Sequence, residues 1–374
     1  MRLTRRDFLK AAAVFLSAAE LMDLHKALAG YGAPPVIWLD GQSCSGDTVS
    51  FLNSVHYATA DEVLIQKIDL KFHKTVMAMA GDFAISPVRL RSLSEGDVAA
   101  FSSQWLQQGG GLNYDLNKDQ KVDMQDFALL QQRGYILVVE GAIPFGAGGR
   151  YCGVGGEMTI KDAVAYFGQY ADLVLAVGTC ATFGGISAGS PNPTEAKSVS
   201  ASLADLKINK TVINLPGCPV HPDWLVGTIV DLIVTGKAPA LDSLLRPTKY
   251  FGTQIHDHCP NLTKYQDNYK KRADNHGEGV TVGMTSCLTC HSNTDGAVKN
   301  PRKLGMTGCL FALGCRGRQT YADCPTRKWN SGGKGEYGIN WCVEAGSPCH
   351  GCTEPLFPDG MSPFFTLNGP GVDD

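Results

Sequence analysis

Four short apolar runs punctuate the first two thirds of the chain. They are Val36-Ile37-Trp38-Leu39, Ile136-Leu137-Val138-Val139, Leu173-Val174-Leu175-Ala176-Val177 and Thr211-Val212-Ile213-Asn214-Leu215. Each is nearly continuous in apolar residues and too short for a buried helix, so each reads as a strand covered on both faces. Segments with helical spacing separate them: Val49 to Ala60, Ile160 to Tyr170, Lys197 to Leu206 and Trp224 to Val234. Strands alternating with helices predict an α/β fold with a doubly wound parallel sheet. After Leu245 the periodicity fades into glycine and polar residues, which marks a boundary between a first domain (31–245) and a second, loop-rich one (246–374).

Three of the four runs are followed closely by a cysteine: Cys44, Cys180 and Cys218. In an open α/β sheet the carboxyl ends of the strands share the edge where ligands bind, so these thiols are expected to converge. One such cysteine is ordinarily a small core residue. Three at equivalent topological positions point to ligands. The second domain holds Cys309, Cys315, Cys324, Cys342, Cys349 and Cys352, with His256 and Cys259 upstream. A segment so rich in sulfur and so poor in apolar periodicity needs crosslinks, either disulfides or metal clusters. The thirteen cysteines, an odd number, cannot all pair within the chain. A formal charge of −3 over 374 residues gives no reason to expect nucleic acid.

The N-terminus bears on that choice. Thr4-Arg5-Arg6-Asp7-Phe8-Leu9-Lys10 precedes a mild apolar run, and Ala27-Leu28-Ala29 offers a cleavage site, so residues 1–30 read as a twin-arginine signal peptide. That route exports folded proteins, often around a cofactor, which favours clusters over disulfides. The apolar run is too short to span a bilayer. A periplasmic chain without an anchor of its own, soluble or peripherally attached, is expected.

The motifs then reach a family. Trp38-Leu39-x-Gly41-Gln42-Ser43-Cys44, Val139-Glu140-Gly141-x-Ile143-Pro144, Gly178-Thr179-Cys180-Ala181-Thr182-Phe183-Gly184-Gly185 and Leu215-Pro216-Gly217-Cys218-Pro219 closely resemble the small subunit of [NiFe] hydrogenases. So do His256-x-x-Cys259, Gly308-Cys309-Leu310, Gly314-Cys315-Arg316-Gly317, Asn340-Trp341 and Pro348-Cys349 to Cys352-x-Glu354-Pro355. The resemblance implies a flavodoxin-like domain with one iron–sulfur cluster and a second domain with two more. It implies a proximal set (Cys44, Asp47, Cys180, Cys218), a distal set (His256, Cys259, Cys309, Cys315) and a medial set (Cys324, Cys342, Cys349, Cys352). His258 is the rival imidazole, but the family motif places the ligand three residues before Cys259. One imidazole among thiolates raises a cluster's potential, which suits the point where electrons leave.

Four departures from the family pattern carry further expectations. Asp47 stands where the family has a second cysteine, so one proximal ligand is a carboxylate, a harder donor than thiolate. The alternative is that Asp47 caps a helix beginning near Val49. An aspartate there is associated with a subgroup that takes up hydrogen in air, an analogy and nothing more. Gly46 and Gly185 occupy the places where another oxygen-tolerant type has two extra cysteines. Cys342 stands where better-known members have proline, which converts the expected medial [3Fe-4S] cluster into a third [4Fe-4S] cluster.

An insertion spans about 85–133. In it Asp115, Asn117, Asp119, Lys121 (through its carbonyl), Asp123 and Asp126 have calcium-loop spacing, although Gln120 replaces the usual glycine and Asp126 the usual glutamate. Lastly, Cys287-x-x-Cys290-His291 is the c-type haem attachment pattern. Haem c is attached to unfolded chains outside the membrane, which conflicts with folded export, so a loop disulfide or minor metal pair ranks ahead of haem. Cys152 is left as a buried small residue.

The resulting expectation is the electron-transfer subunit of a periplasmic, hydrogen-oxidising enzyme. Its hydrogen chemistry lies in a separate large subunit, because no Cys-x-x-Cys pair here fits a nickel site. The external acceptor is expected to be a cytochrome or membrane subunit. Exposed apolar residues near Phe51, Met77 and Met79 are expected at the large-subunit interface. Two rivals remain: a cluster-bearing subunit of a quinone-linked respiratory complex, and a calcium-dependent binding protein stapled by disulfides.

Overall fold

The computed structural model describes residues 33–77, 135–155, 158–265, 309–362 and 364. The twin-arginine segment, the calcium-type loop from Asp115 to Asp126, Met79 and the Cys287-Cys290-His291 motif lie outside the described residues.

Five strands form the central sheet: β1 (Pro35–Asp40), β2 (Asp69–His73), β3 (Ile136–Glu140), β4 (Leu173–Val177) and β5 (Val212–Leu215). All neighbours are parallel, in the order β2-β1-β3-β4-β5, the flavodoxin-type arrangement. The register aligns Asp40 with Glu140, Glu140 with Val177, and Val177 with Leu215, so four strands end at one edge.

Successive side chains alternate between the sheet's faces. Ile37, Leu39, Leu137, Val139, Val174 and Ala176 join one buried cluster, with helices α2 (Ile160–Tyr170) and α4 (Val199–Asp205) packed against them. Trp38, Val138, Leu175 and Ile213 join the other, under α1 (Gly46–Leu52) and α5 (Pro222–Thr235). The short α3 (Gly178–Phe183) follows β4 directly. Capping sets the helix starts. Thr159 accepts the Asp162 N–H ahead of α2 at 3.0 Å, a contact whose loss costs ~1 kcal/mol. Ahead of α5, His221 Nδ1 accepts from the Asp223 N–H at 3.1 Å.

Three expectations need correction. The helix expected from Val49 to Ala60 begins earlier and breaks. It runs from Gly46 to Leu52, and then Asn53 Nδ2 donates back to the Val49 carbonyl at 2.8 Å. Helix resumes at Ala60–Glu62 and passes into a π-helical turn at Val63–Lys67. β2 was not expected; only its last two residues are buried, as befits an edge strand with a polar rim. Phe51 is 0% exposed, not an interface residue: its ring packs 5.6 Å from that of Trp38. With the helix starting at Gly46, Phe51 falls on the face turned to the sheet, and Val49 and Leu52 face outward. Met77 is half-buried.

Beyond Leu245 the described chain is loops, short helical turns and isolated bridges. Tyr250, Phe251, Leu310, Leu313, Trp341 and Val343 nevertheless belong to the same buried cluster as Trp38 and Trp224. Buried polar ties reinforce the join. Arg327 reaches Asp223 at 3.2 Å, Trp224 Nε1 donates to Asp323 at 2.7 Å, and Arg246 bridges Asp242 at 2.8 Å and Glu354 at 3.0 Å.

Candidate functional site

The carboxyl edge of the sheet carries the first set. Cys44 lies in the turn from β1 to α1, Cys180 in the first turn of α3, and Cys218 just past β5. Asp47 lies inside the first turn of α1 and not at its cap. Ser45 holds the cap position with φ 58°, and its own side chain makes no capping bond. The Asp47 carboxyl is buried and turned inward, where Oδ1 accepts the Val220 N–H at 2.6 Å. A Cβ on Gly178 would stand 1.9 Å from Asp47 Oδ2, and Gly178 has φ +81°, so that position admits only glycine.

Burial, and then the charge of Glu140, push the Asp47 carboxyl up to about 8. Glu140 is itself wholly buried and accepts from Ser43 Oγ at 2.8 Å, Thr48 Oγ1 at 2.5 Å and the Asp47 N–H at 3.2 Å. Burial pushes the Cys218 thiol up to about 11, helped by the nearby Cys180, Asp47 and Cys44. The four members of the proximal set therefore lie in one neighbourhood, with Cys44 and Cys218 exposed at its rim. Gly185 closes against this corner, since a Cβ there would meet Cys180 Sγ at 3.0 Å.

The distal set lines one cavity. His256, Cys259, Cys309 and Cys315 line it, together with Trp341 and Arg318. His256 is half-buried in a single helical turn, and His258, on the same turn, is exposed. Burial, then Arg318, hold the His256 imidazole below its usual value. The buried Trp341 Nε1 has no protein acceptor.

The medial set sits between the other two. Burial, then the neighbouring thiols, raise Cys324 and Cys349 well above the ordinary thiol value. Cys352 is pushed up to about 12, by burial and then by Cys342. Cys342 is exposed as a residue, and partial burial raises its thiol.

The sets abut. Thr179 Oγ1 accepts the Gly217 N–H at 2.9 Å and donates to the Cys352 carbonyl, and the Cys349 N–H donates to Cys315 Sγ at 3.4 Å. No two of the described cysteines are joined to each other by a disulfide. Cys152 is half-buried, its thiol 3.9 Å from the Asp40 carbonyl. Among the described residues no three His, Cys, Asp or Glu side chains are placed to hold a single ion. A multi-iron cluster spreads its ligands over several metal atoms, and neighbouring thiols suit it better than one small cation.

Some contributors escaped the sequence reading. Arg246 bridges Asp242 and Glu354, and also donates to the Thr353 carbonyl, which fixes the loop carrying Cys352. Glu140 and Thr179 lay in the quoted motifs without a role. A carboxylate closing an apolar strand was the available signal for Glu140.

The architecture is a flavodoxin-ordered sheet with thiols on its carboxyl edge, continued by a thiol-lined loop region. A family model described as "NADH ubiquinone oxidoreductase, 20 Kd subunit" matches residues 44–232. A second model, for the C-terminal part of the NiFe/NiFeSe hydrogenase small subunit, matches 251–365. The periplasmic [NiFeSe] hydrogenase small subunit of Desulfomicrobium baculatum is 34% identical, with 98% of this chain and 99% of the relative covered. The periplasmic [NiFe] hydrogenase small subunit 1 of Nitratidesulfovibrio vulgaris is 33% identical, covering 97% and 93%. Among solved structures, the reduced, active Ni-Fe-Se hydrogenase of Desulfomicrobium baculatum aligns with TM-score 0.64 at 35% identity, over 89% of this chain and 99% of that one. The chain belongs to the small-subunit family of NiFe/NiFeSe hydrogenases. In these hydrogen oxidoreductases the catalytic centre lies in the large subunit. No helix among the described residues is long and apolar enough to cross a membrane.

Proposed function

We propose that this chain relays electrons from the hydrogen-activating centre of a partner large subunit, through three [4Fe-4S] clusters, to an external acceptor. Cys44, Asp47, Cys180 and Cys218 would hold the proximal cluster, Cys324, Cys342, Cys349 and Cys352 the medial one, and His256, Cys259, Cys309 and Cys315 the distal one. Bound clusters supply one-electron redox chemistry at potentials set by ligand type, hydrogen bonds and exposure. The observation that carries the reading is the contact between successive sets, the Gly217-Cys218 turn to Cys352 through the Thr179 hydroxyl and Cys349 to Cys315 directly. The fit rests on the thiols and imidazole that line the distal cavity and on the Trp341 indole beside them, whose N–H lacks a protein acceptor.

The protein's own groups have distinct tasks. The Val220 N–H orients Asp47, and Glu140 organises the turn between Cys44 and Asp47 through Ser43, Thr48 and the Asp47 amide. Exposed Val49, Leu52 and Ile186 flank the proximal set and suit an apolar partner surface. The twin-arginine pattern and the periplasmic relatives support function outside the cytoplasmic membrane, with a cytochrome or membrane subunit as acceptor.

Iron and acid-labile sulfide in the purified heterodimer test the reading. About a dozen irons belong to this chain if all three clusters are present. A well-folded, iron-free complex with paired thiols would overturn it. Asp47→Cys should keep the iron and shift the proximal midpoint potential. An unchanged potential and spectrum would remove Asp47 from the ligand set.

A further inference from the structure

Thr179 is 1% exposed and sits between two cysteine loops in the first turn of α3. Its hydroxyl accepts the Gly217 N–H at 2.9 Å and donates to the Cys352 carbonyl. Its own N–H donates to the Gly217 carbonyl at 2.9 Å. A hydroxyl offers one proton and two acceptor sites, and here both functions are used. Three chain segments far apart in sequence meet at this side chain: the Cys180 turn, the Gly217-Cys218 turn and the loop ending at Cys352. Two of them hold proximal thiols and the third a medial one.

We propose that Thr179 is a positioning residue whose hydroxyl fixes the spacing between the proximal and medial sets, and hence the electronic contact between the groups they hold. The inference rests on the cluster reading above. Removing the hydroxyl leaves the Gly217 N–H and the Cys352 carbonyl without their partner, and a buried unsatisfied group is expensive. The relaxation falls on the peptide before Cys218 and on Cys352 itself, so it separates the two sets. A methyl group of the same size fills the space without holding the loops.

The test uses the native heterodimer with Thr179→Val, Thr179→Ala and Thr179→Ser. Iron is counted first, and then electron paramagnetic resonance is recorded with the clusters reduced. Neighbouring paramagnets split and broaden each other's signals, an interaction that falls steeply with separation. The hydroxyl-free variants should keep their iron and lose the proximal–medial splitting, and Ser should restore it. Loss of about four irons, one cluster's worth, in Val and Ala but not in Ser also supports the clamp, because it means release of Cys352. Full iron with unchanged splitting in Val and Ala overturns the proposal, and so does equal failure of all three variants, which would mark Thr179 as packing alone. A wild-type complex without iron would instead sink the cluster reading.

Discussion

The two halves of this chain are held together by different means. In the sheet half, apolar residues alternate cleanly into two buried clusters, one on each face. One of the two clusters is closed within this half; the other is completed by Tyr250, Phe251, Leu310, Leu313, Trp341 and Val343. The stretch from Cys309 to Ser362 has turns and isolated bridges in place of a sheet, and its interior is furnished with thiols, a few aromatics and ion pairs. Burial raises those thiols, because taking a thiolate out of water disfavours the charged form. Only a metal makes such a cluster of sulfurs favourable as thiolates. The sheet half thus owes its shape to its side chains, and the second half is expected to owe much of its own to what the thiols hold.

The largest effect should come from removing iron. In a chelated, reduced chain, amide exchange should stay slow in β1, β3, β4 and β5 and become fast across 309–362. Equal protection in both regions would show that the second half stands without metal, and the contrast would be lost. The next effect concerns the tie between the halves. Arg246 has a side chain 4% exposed and pairs with Glu354, 9% exposed. Arg246→Met leaves that carboxylate buried and unpaired, and should cost ~3–5 kcal/mol in urea unfolding. Adding Glu354→Leu should recover most of the loss. If the double variant is no better than the single one, the ion pair is not what joins the loop to the sheet.

The same contrast decides what could be seen in the sequence. Strands β1, β3, β4 and β5 were legible because burial on both faces leaves an unbroken apolar run. β2 was not, because Asp69, Lys71 and His73 interrupt it and the edge position tolerates them. The break after Leu52 has no glycine or proline to announce it; the Asn53 side chain ends the helix by bonding back to Val49. The candidate ligands were legible from motif spacing, since chemistry fixes residue type more tightly than packing does. The residues that arrange them were hidden. Thr179 reads as any small polar residue beside a cysteine, and its two partners lie 38 and 173 positions away.

Acid offers the finest probe of the two halves. His73 and His221 are buried in the described structure, and burial lowers their imidazoles to about 4 and about 3. Both should be neutral in the folded chain, and both take up protons near 6.5 when unfolded. Their stabilising contribution is therefore complete above pH ~6.5 and is lost as pH falls towards 4, at ~1.4 kcal/mol per pH unit per histidine. The two differ in what they touch. His73 stays within the sheet half, against Thr48, Thr75 and the Trp38 ring. His221 joins the halves: its Nδ1 accepts from the Asp223 N–H at the start of α5, which leaves the proton on Nε2 to donate to the Lys328 carbonyl at 2.7 Å. The Asp223 carboxylate stands 4.0 Å away and would welcome a second proton, whereas the charges of Arg327 and His56 oppose it. Protonating Nδ1 also removes the cap of α5. Between pH 6.5 and 5, His73→Gln should flatten the acid loss without touching the contact between the halves. His221→Gln should flatten it and also speed amide exchange around Lys328 at neutral pH. If His221→Gln leaves exchange at Lys328 unchanged, this histidine belongs to the sheet half alone.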